Sequence, residues 1–170
     1  QEVRGTLTRE ARALVAADVV VASTRPFTDG LIGRVDQLAS AAGAVESSRL
    51  VDTQTMASTE GAEPAVKLVE LRAVEAEYPF YGQLELAGGL TYTHTLLEGR
   101  GAVVQPELLA ILDIGVGDTF KLAGETFTVR GVISRDRVQR GAIAFGPRVY
   151  VDIEALRSTT IFGFGSRATH

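Results

Sequence analysis

Cysteine, tryptophan and asparagine are absent from this chain of 170 residues. The residue inventory therefore excludes disulfide bonds, thiol chemistry, thiolate metal sites and N-linked glycosylation. Lysine is scarce as well, because Lys67 and Lys121 are the only two in the sequence, and the formal net charge is −4. Nucleic-acid binding needs clustered basic residues that release counterions from phosphates, so we expect no nucleic-acid partner.

Long apolar runs are also lacking. The longest, residues 13–22, is interrupted by Asp18 and is well short of the roughly 20 residues that a membrane-spanning helix requires. A hydrophobic content of 45% nevertheless predicts a folded domain rather than a disordered segment. The chain begins at Gln1 without a signal-peptide pattern and ends shortly after an apolar patch at residues 161–164. We therefore expect both ends to be boundaries within a longer polypeptide.

The first part of the chain shows two helical patterns separated by a strand pattern. Apolar residues at helical spacing predict an amphipathic helix over residues 2–16. The β-branched run at residues 18–23 predicts a buried strand. A second helix is expected to begin at Thr28 or Asp29 and to end at Gly43, which supplies a left-handed stop.

A hairpin is predicted next. Residues 45–56 and 65–74 read as extended segments, and the polar segment 58–64 between them predicts the connecting turn. In the second of these strands Glu70 and Arg72 lie on the face opposite the apolar residues. We therefore expect one face of that strand to be in water.

The second half of the chain predicts mostly short elements. Residues 75–101 are rich in glycine and are expected to form loops and short strands, and proline at the first turn favours a helix at residues 106–112. Residues 119–133 predict the clearest hairpin in the sequence, and a last strand at residues 148–151 precedes Asp152, which can cap a short helix. The fold class is a mixed α/β (α+β) domain.

Sequence motifs of catalysis and cofactor binding are missing. No nucleotide-binding loop, nucleophile elbow or calcium loop occurs. His94 is the only histidine apart from His170, so a serine–histidine–aspartate site would have to be built around it, and a zinc site would lack further strong ligands. A histidine on the surface or in a loop is far more frequent. We expect no catalytic residue, no metal and no cofactor.

Two irregular segments carry candidate contact residues. The first contains Tyr78, Phe80 and Tyr81. They are interpreted as a small core beneath a loop in preference to a contact surface for a hydrophobic cargo or partner. The second is a flexible connection between residues 135 and 146 that contains Arg135, Arg137 and Arg140. Such a patch is usually a solvated loop, but it also suits acidic partners or lipid headgroups.

Several sequence phrases occur in an order that resembles a known family. They are REARALVAADVVVASTRPF, VESSRLVDTQTMA, VKLVELRAV, YPFYGQLEL, GDTFKLAGETFTVRGVI and GPRVYVDIEAL. Together they resemble the large extracytoplasmic domain of FtsX-like ABC transporter permeases, the MacB and LolC group, and within it the YbbP branch. The resemblance extends from about Arg9 to Arg167.

The resemblance implies a position between the first two transmembrane helices of a permease in the cell (inner) membrane, on the periplasmic or extracellular side. It implies a membrane-proximal strand-helix-strand subdomain (porter-like) from residues 1–74 and 137–170, and an inserted β-rich subdomain (sabre-like) from residues 75–136. The implied partners are a second permease copy, a cytoplasmic ATPase subunit, a hydrophobic or lipid-linked cargo and an extracytoplasmic protein. The resemblance implies no chemistry in this domain.

Two alternatives remain open at the level of the sequence. The first is a stand-alone extracytoplasmic module that binds a ligand or a protein, for which ligand-dependent thermal stabilisation is the test. The second is a hydrolase that uses His94, which His94→Ala would test against ester substrates. The isolated domain is expected to be a monomer, because a mechanical arm offers little contact area.

Overall fold

The computed structural model describes residues 21, 27–43, 46–79, 84–136, 146–156 and 168–169. Its helices and strands are α1 (Asp29–Ala41), β1 (Leu50–Ser58), β2 (Val66–Val74), β3 (Leu84–Leu86), β4 (Gly101–Val104), α2 (Pro106–Leu112), β5 (Thr119–Leu122), β6 (Glu125–Asp136), β7 (Arg148–Asp152) and β8 (Ala168–Thr169). Short 3₁₀ turns occupy Ala87–Gly89, His94–Leu96 and Ile153–Leu156. The predicted mixed α/β fold class is confirmed.

Six strands form a closed ring of hydrogen-bonded pairs. The order is β1, β2, β7, β4, β6, β5 and back to β1. The pairs β2–β7 and β4–β6 are parallel, and the other four pairs are antiparallel. The short strand β8 pairs with β1, and β3 pairs with the end of β6. A closed ring is a β-barrel, in which neighbouring strands satisfy one another's backbone groups.

The interior of the barrel is the main core. Because side chains alternate across a strand, every second residue points inward, and β2 buries Val69, Leu71 and Ala73 in this way. Helix α2 adds Leu108 and Leu112 to the same cluster. A paired aromatic contact between β5 and β6, Phe120 opposite Phe127 with ring centroids 6.5 Å apart, also lies in this core.

A second apolar cluster lies on the outer face of the barrel. Val74, Val103 and Tyr150 of the strands pack there against Tyr78, Leu84, Leu86 and Leu97. The outward face of these strands is therefore shielded by residues 75–79 and 84–97, which we call the cover. As predicted, this part of the chain consists of loops and short strands.

The two predicted hairpins are confirmed. Strands β1 and β2 pair in register from Leu50 opposite Val74 to Ser58 opposite Val66. Strands β5 and β6 are joined by a two-residue turn at Ala123 and Gly124, whose φ angles of 54° and 88° are those of a left-handed hairpin turn.

The helix ends also follow the sequence. Helix α1 begins after Thr28, whose hydroxyl accepts a hydrogen bond from the Leu31 amide at 3.3 Å, and it is followed by Gly43 at φ 82°. Its apolar face is not packed within the described residues, since no side chain of the helix is buried and Leu38 is 69% exposed. Helix α2 has Pro106 in its first turn, as predicted.

Three expectations need correction or fall outside the structure. The prediction that one face of β2 lies in water is wrong at Arg72, because the side chain of Arg72 is buried beneath the cover. The helix predicted at residues 2–16 lies outside the described residues. Of the strand predicted at residues 18–23, Val21 alone is described; it is half-exposed and outside any strand.

The barrel also bears on the predicted subdomains. Strands β4, β5 and β6 belong to the predicted insertion at residues 75–136, whereas β1, β2 and β7 belong to the flanking unit. The two sets interleave, because β4 pairs with β7 and β5 pairs with β1. In the described residues the two sets of strands are therefore not separate sheets, and a division into two subdomains stays a prediction.

Candidate functional site

The first predicted contact segment is partly core. Tyr78 is 9% exposed, and its ring centroid lies 6.3 Å from that of Tyr150 in the second apolar cluster. Tyr78 therefore belongs to a small core beneath the cover, as the sequence favoured, and its ring packs against the barrel wall. Phe80 and Tyr81 lie outside the described residues, and their role as contacts stays a prediction.

The second predicted segment begins later than expected. Arg135 belongs to β6, where its backbone is paired opposite Glu85 of β3, so it is a strand residue and not part of a loop. The pairing continues to Asp136 because β3 supplies a partner for the end of the long strand. Arg137 and Arg140 lie outside the described residues.

Arg72 forms the centre of a buried polar cluster. Its Nε and Nη2 donate to Oδ1 and Oδ2 of Asp52 at 2.6 and 2.9 Å, a bidentate arrangement that matches the planar guanidinium. Its Nη1 donates to the hydroxyls of Tyr78 and Tyr150 at 3.3 and 3.4 Å. The guanidinium carbon also lies 5.7 Å from the centroid of the Tyr150 ring, within the range of a cation–π contact. We call these four residues the Arg72 cluster.

The charge of Arg72 is maintained in spite of its burial. Burial by itself lowers the pKa of the guanidinium, but the hydrogen bond to Asp52 and the electrostatic interactions with Tyr150, Asp52 and Tyr78 together raise the pKa above its ordinary value. Alternation along β2 predicts Arg72 on a face in water and does not indicate this cluster. The observed register of the hairpin places the opposite charges of Asp52 and Arg72 at facing positions, a pairing that the predicted bounds of the hairpin do not specify.

A second polar group lies at another point of the cover. Nε2 of His94 is 3.5 Å from Oδ2 of Asp152, and the two side chains are 16% and 18% exposed. Oδ1 of Asp152 accepts a hydrogen bond from the Glu154 amide at 2.9 Å. Nδ1 of His94 is buried and has no hydrogen-bond partner among the described residues. In this part of the chain His94 links the cover to the end of β7, and no serine or threonine hydroxyl hydrogen-bonds to its imidazole.

Tyr92 lies in the same region and also has a buried hydroxyl without a partner among the described residues. Burial raises the pKa of this phenol above its ordinary value, and electrostatic interactions with Tyr78 and Asp152 add to the shift. Tyr78, Pro79, Tyr92 and His94 line an open groove of about 300 Å³ in the cover. Leu84, Thr91 and Thr93 also line it.

The described residues contain no group of three or more histidine, aspartate or glutamate side chains that could hold a metal ion. Within the same residues, none of the helices has the length and apolar character needed to cross a membrane. Of the polar contacts described above, those between Arg72 and Tyr78 and between His94 and Asp152 join the cover to the barrel. Together with the second apolar cluster, these contacts hold the cover on the closed barrel.

Comparison with known proteins identifies the family. The model of the MacB-like periplasmic core domain matches residues 3–168, and the chain belongs to that family. No curated protein sequence matches the chain significantly.

Solved structures with a similar fold come from transporters. The extracellular domain of the noncanonic ABC-type transporter YknZ from Gram-positive bacteria has a TM-score of 0.50 and 15% identity, covering 87% of this chain and 80% of that one. The periplasmic region of MacB from Actinobacillus actinomycetemcomitans has 18% identity, a TM-score of 0.45 and coverages of 81% and 62%. A domain of a putative permease protein from Porphyromonas gingivalis has 13% identity, a TM-score of 0.48 and coverages of 74% and 59%. At these identities the likeness concerns the fold.

Proposed function

We propose that this chain is the extracytoplasmic domain of an ABC transporter permease subunit that exports or extracts a lipid, a lipoprotein or another hydrophobic cargo. The observation that carries the proposal is the match of the family model to residues 3–168, nearly the whole chain. The domain contributes no chemistry. A cytoplasmic ATPase subunit supplies the energy, and two permease copies act together at the membrane.

The architecture suits a part that moves as a unit. Six strands closed into a ring have no free edge along which the sheet can open. The cover is held on the ring by the second apolar cluster and by the contact between Nε2 of His94 and Oδ2 of Asp152. Motion delivered to one strand of such a barrel is transmitted to the others through hydrogen bonds and a close-packed interior.

The residues that meet cargo or an extracytoplasmic partner form a separate part of the proposal. Tyr78 is buried, so the contact is assigned to Phe80 and Tyr81 beside it and to Arg137 and Arg140 after β6. The proposal rests on their types: aromatic rings suit an apolar cargo, and arginines suit acidic headgroups or an acidic partner.

The experiment is membrane fractionation of the full-length gene product, followed by protease added to intact spheroplasts. We expect the product to pellet with membranes and the segment recognised by an antibody against this chain to be degraded. A cytoplasmic protein that stays intact until detergent is added is the control. A native product that is soluble and ends near residues 1 and 170 would overturn the proposal in favour of a stand-alone binding module.

A membrane-bound product allows the contact residues to be tested in the same cells. Replacing Phe80 and Tyr81 by serine, or Arg137 and Arg140 by glutamine, is expected to reduce transport at unchanged protein level and unchanged melting temperature of the domain. Lys121→Gln, which alters a surface ion pair with Glu60, is the control. Normal transport with all four residues replaced would remove the contact assignment.

A further inference from the structure

Arg72 is the one charged side chain that is buried in the described part of the chain, with 4% of its surface exposed. It lies on the outer face of β2, between the barrel wall and the cover. An arginine can hold several partners at fixed angles because its nitrogens lie in one plane and point in set directions. Nε, Nη1 and Nη2 of Arg72 all donate hydrogen bonds.

The partners of Arg72 come from three different segments. Asp52 belongs to β1, Tyr78 belongs to the cover, and Tyr150 belongs to β7. The Arg72 cluster thus joins two barrel strands besides its own to the first part of the cover. The ring of Tyr150 also contacts Tyr78, so the cluster is closed on the side of the cover.

Asp52 is paired with residues of two neighbouring strands. Its backbone lies opposite Arg72 on β2 and opposite Thr169 on β8. The same residue therefore connects β8 through the backbone and Arg72 through the side chain. A displacement of β8 along or away from β1 acts on the residue whose carboxylate orients the guanidinium.

Stability alone is a weak reason for such a cluster. A buried ion pair can often be replaced by well-packed apolar residues without loss of stability, because removing charges from water offsets most of the attraction between them. Directed hydrogen bonds, in contrast, restrict where the partner segments lie. What Arg72 adds is therefore orientation: its hydrogen bonds fix the position of Tyr78 relative to β1 and β7.

We propose that the Arg72 cluster is a positional lock that ties the cover to the paired strands β1 and β8, so that the cover moves with them. Arg72 and Asp52 are positioning residues. In the permease of the proposed function, the lock carries a displacement of β8 to the cover. This last consequence rests on the proposed function, whereas the lock itself does not.

The test is hydrogen–deuterium exchange of this chain and its Asp52→Asn variant. The substitution keeps the size of the side chain and removes the bidentate acceptor. We expect amides of residues 84–97 to exchange about tenfold faster in the variant, since the cover opens locally more often. Amides of β4 and β6 inside the ring are expected to keep their wild-type rates.

Glu70→Gln is the matched control. Glu70 binds Arg148 at 3.1 Å and also links β2 to β7, with side chains 22% and 12% exposed, but neither residue belongs to the Arg72 cluster. This variant should leave exchange of the cover unchanged. Equal acceleration of the cover in both variants, or unchanged exchange in Asp52→Asn, would contradict the lock.

Two further variants separate position from stability. The double variant Asp52→Leu with Arg72→Met replaces the ion pair by apolar side chains, and we expect it to keep the wild-type unfolding midpoint while the cover exchanges faster.

Truncation after residue 167 removes β8. It should accelerate exchange of the cover in the wild-type chain and add nothing in the Asp52→Asn background, because the link is already broken. Simple addition of the two effects would contradict the connection between β8 and the cover.

The outcomes for the two proposals are distinguishable. All exchange measurements use the chain itself, so their failure removes the lock and leaves the permease assignment untouched. A soluble full-length product removes the permease assignment and leaves the exchange results valid as a property of the fold.

Discussion

Single polar groups decide how the cover is held. The hydroxyl of Tyr150 accepts a hydrogen bond from Arg72, whereas the buried hydroxyl of Tyr92 has no partner among the described residues. A buried hydroxyl without a partner loses its hydrogen bonds to water and gains none in return. Replacing tyrosine by phenylalanine is therefore expected to change stability in opposite directions at the two positions.

We predict that Tyr92→Phe raises the free energy of unfolding by about 1 kcal/mol, because it removes an unsatisfied buried polar group. Tyr150→Phe is the matched control and should lower the free energy of unfolding by about 2 kcal/mol, since it removes a hydrogen bond to a charged donor. Urea unfolding monitored by circular dichroism measures both. Equal destabilisation by the two substitutions would show that Tyr92 has a partner in solution.

The Tyr92→Phe variant also tests how the titration of Tyr92 affects stability in alkaline solution. Burial raises the pKa of Tyr92 in the folded state, while the unfolded chain releases this proton near pH 10. The folded state then holds more protons than the unfolded state above about pH 10, so stability falls as the pH rises. Below about pH 10 Tyr92 is protonated in both states, so the stability does not depend on its titration there. The melting temperature of the wild-type chain should decline more steeply than that of Tyr92→Phe between about pH 9 and 11.

At the scale of elements, the turn between β5 and β6 contains a residue in an unfavourable conformation. Ala123 has a φ of 54°, and the left-handed region costs an ordinary residue roughly 1–2 kcal/mol relative to its preferred conformation. Glycine adopts that region freely. The hairpin is therefore predictable from the sequence, but it is not optimised.

We predict that Ala123→Gly raises the free energy of unfolding by about 1 kcal/mol, because the strain of the turn is relieved. Ala110→Gly in the exposed part of α2 is the control for the same change of residue type. It should lower the free energy of unfolding by about 1 kcal/mol, because glycine is a poor helix former. Thermal unfolding of the two variants gives the comparison, and destabilisation by both would refute the assignment of strain to Ala123.

At the scale of the whole molecule, the closed ring makes the predicted insertion dependent on its flanks. Strands β4, β5 and β6 have their missing neighbours in β7 and β1, and the core residues of the two sets belong to one cluster. Few of these contacts are local in sequence. The barrel should therefore fold as one unit.

We predict that a fragment of residues 75–136 does not fold alone, because removing β1, β2 and β7 opens the ring and exposes half of the interior. The amide spectrum of the fragment in nuclear magnetic resonance should be narrow, and its circular dichroism should lack a cooperative thermal transition. The 170-residue chain is the control and should show one transition for the strands. A dispersed spectrum of the fragment would instead support an autonomous inserted subdomain.

The candidate site was only partly predictable. The aromatic segment at Tyr78 was recognised by its composition, and the interpretation as a core beneath a loop holds for Tyr78. The burial of Arg72 was missed, because alternation along one strand shows which residues share a face but not whether another segment lies on that face. The assignment of Arg135 to a loop failed for a related reason, since the length of β6 depends on β3 as a partner.

The sequence by itself determined the local elements of the described chain: the capped helix α1, the proline-initiated helix α2, both hairpins and the last strand before Asp152. These depend on propensities, caps and turn residues, which act over a few positions. It also determined the family, through the order of its phrases. The tertiary structure alone decided that six strands close into a ring, that the cover lies on its outer face and that Asp52, Tyr78 and Tyr150 meet at Arg72. These contacts join residues as far as 78 positions apart in the sequence. Whether residues so far apart in the sequence meet depends on the packing of the whole core.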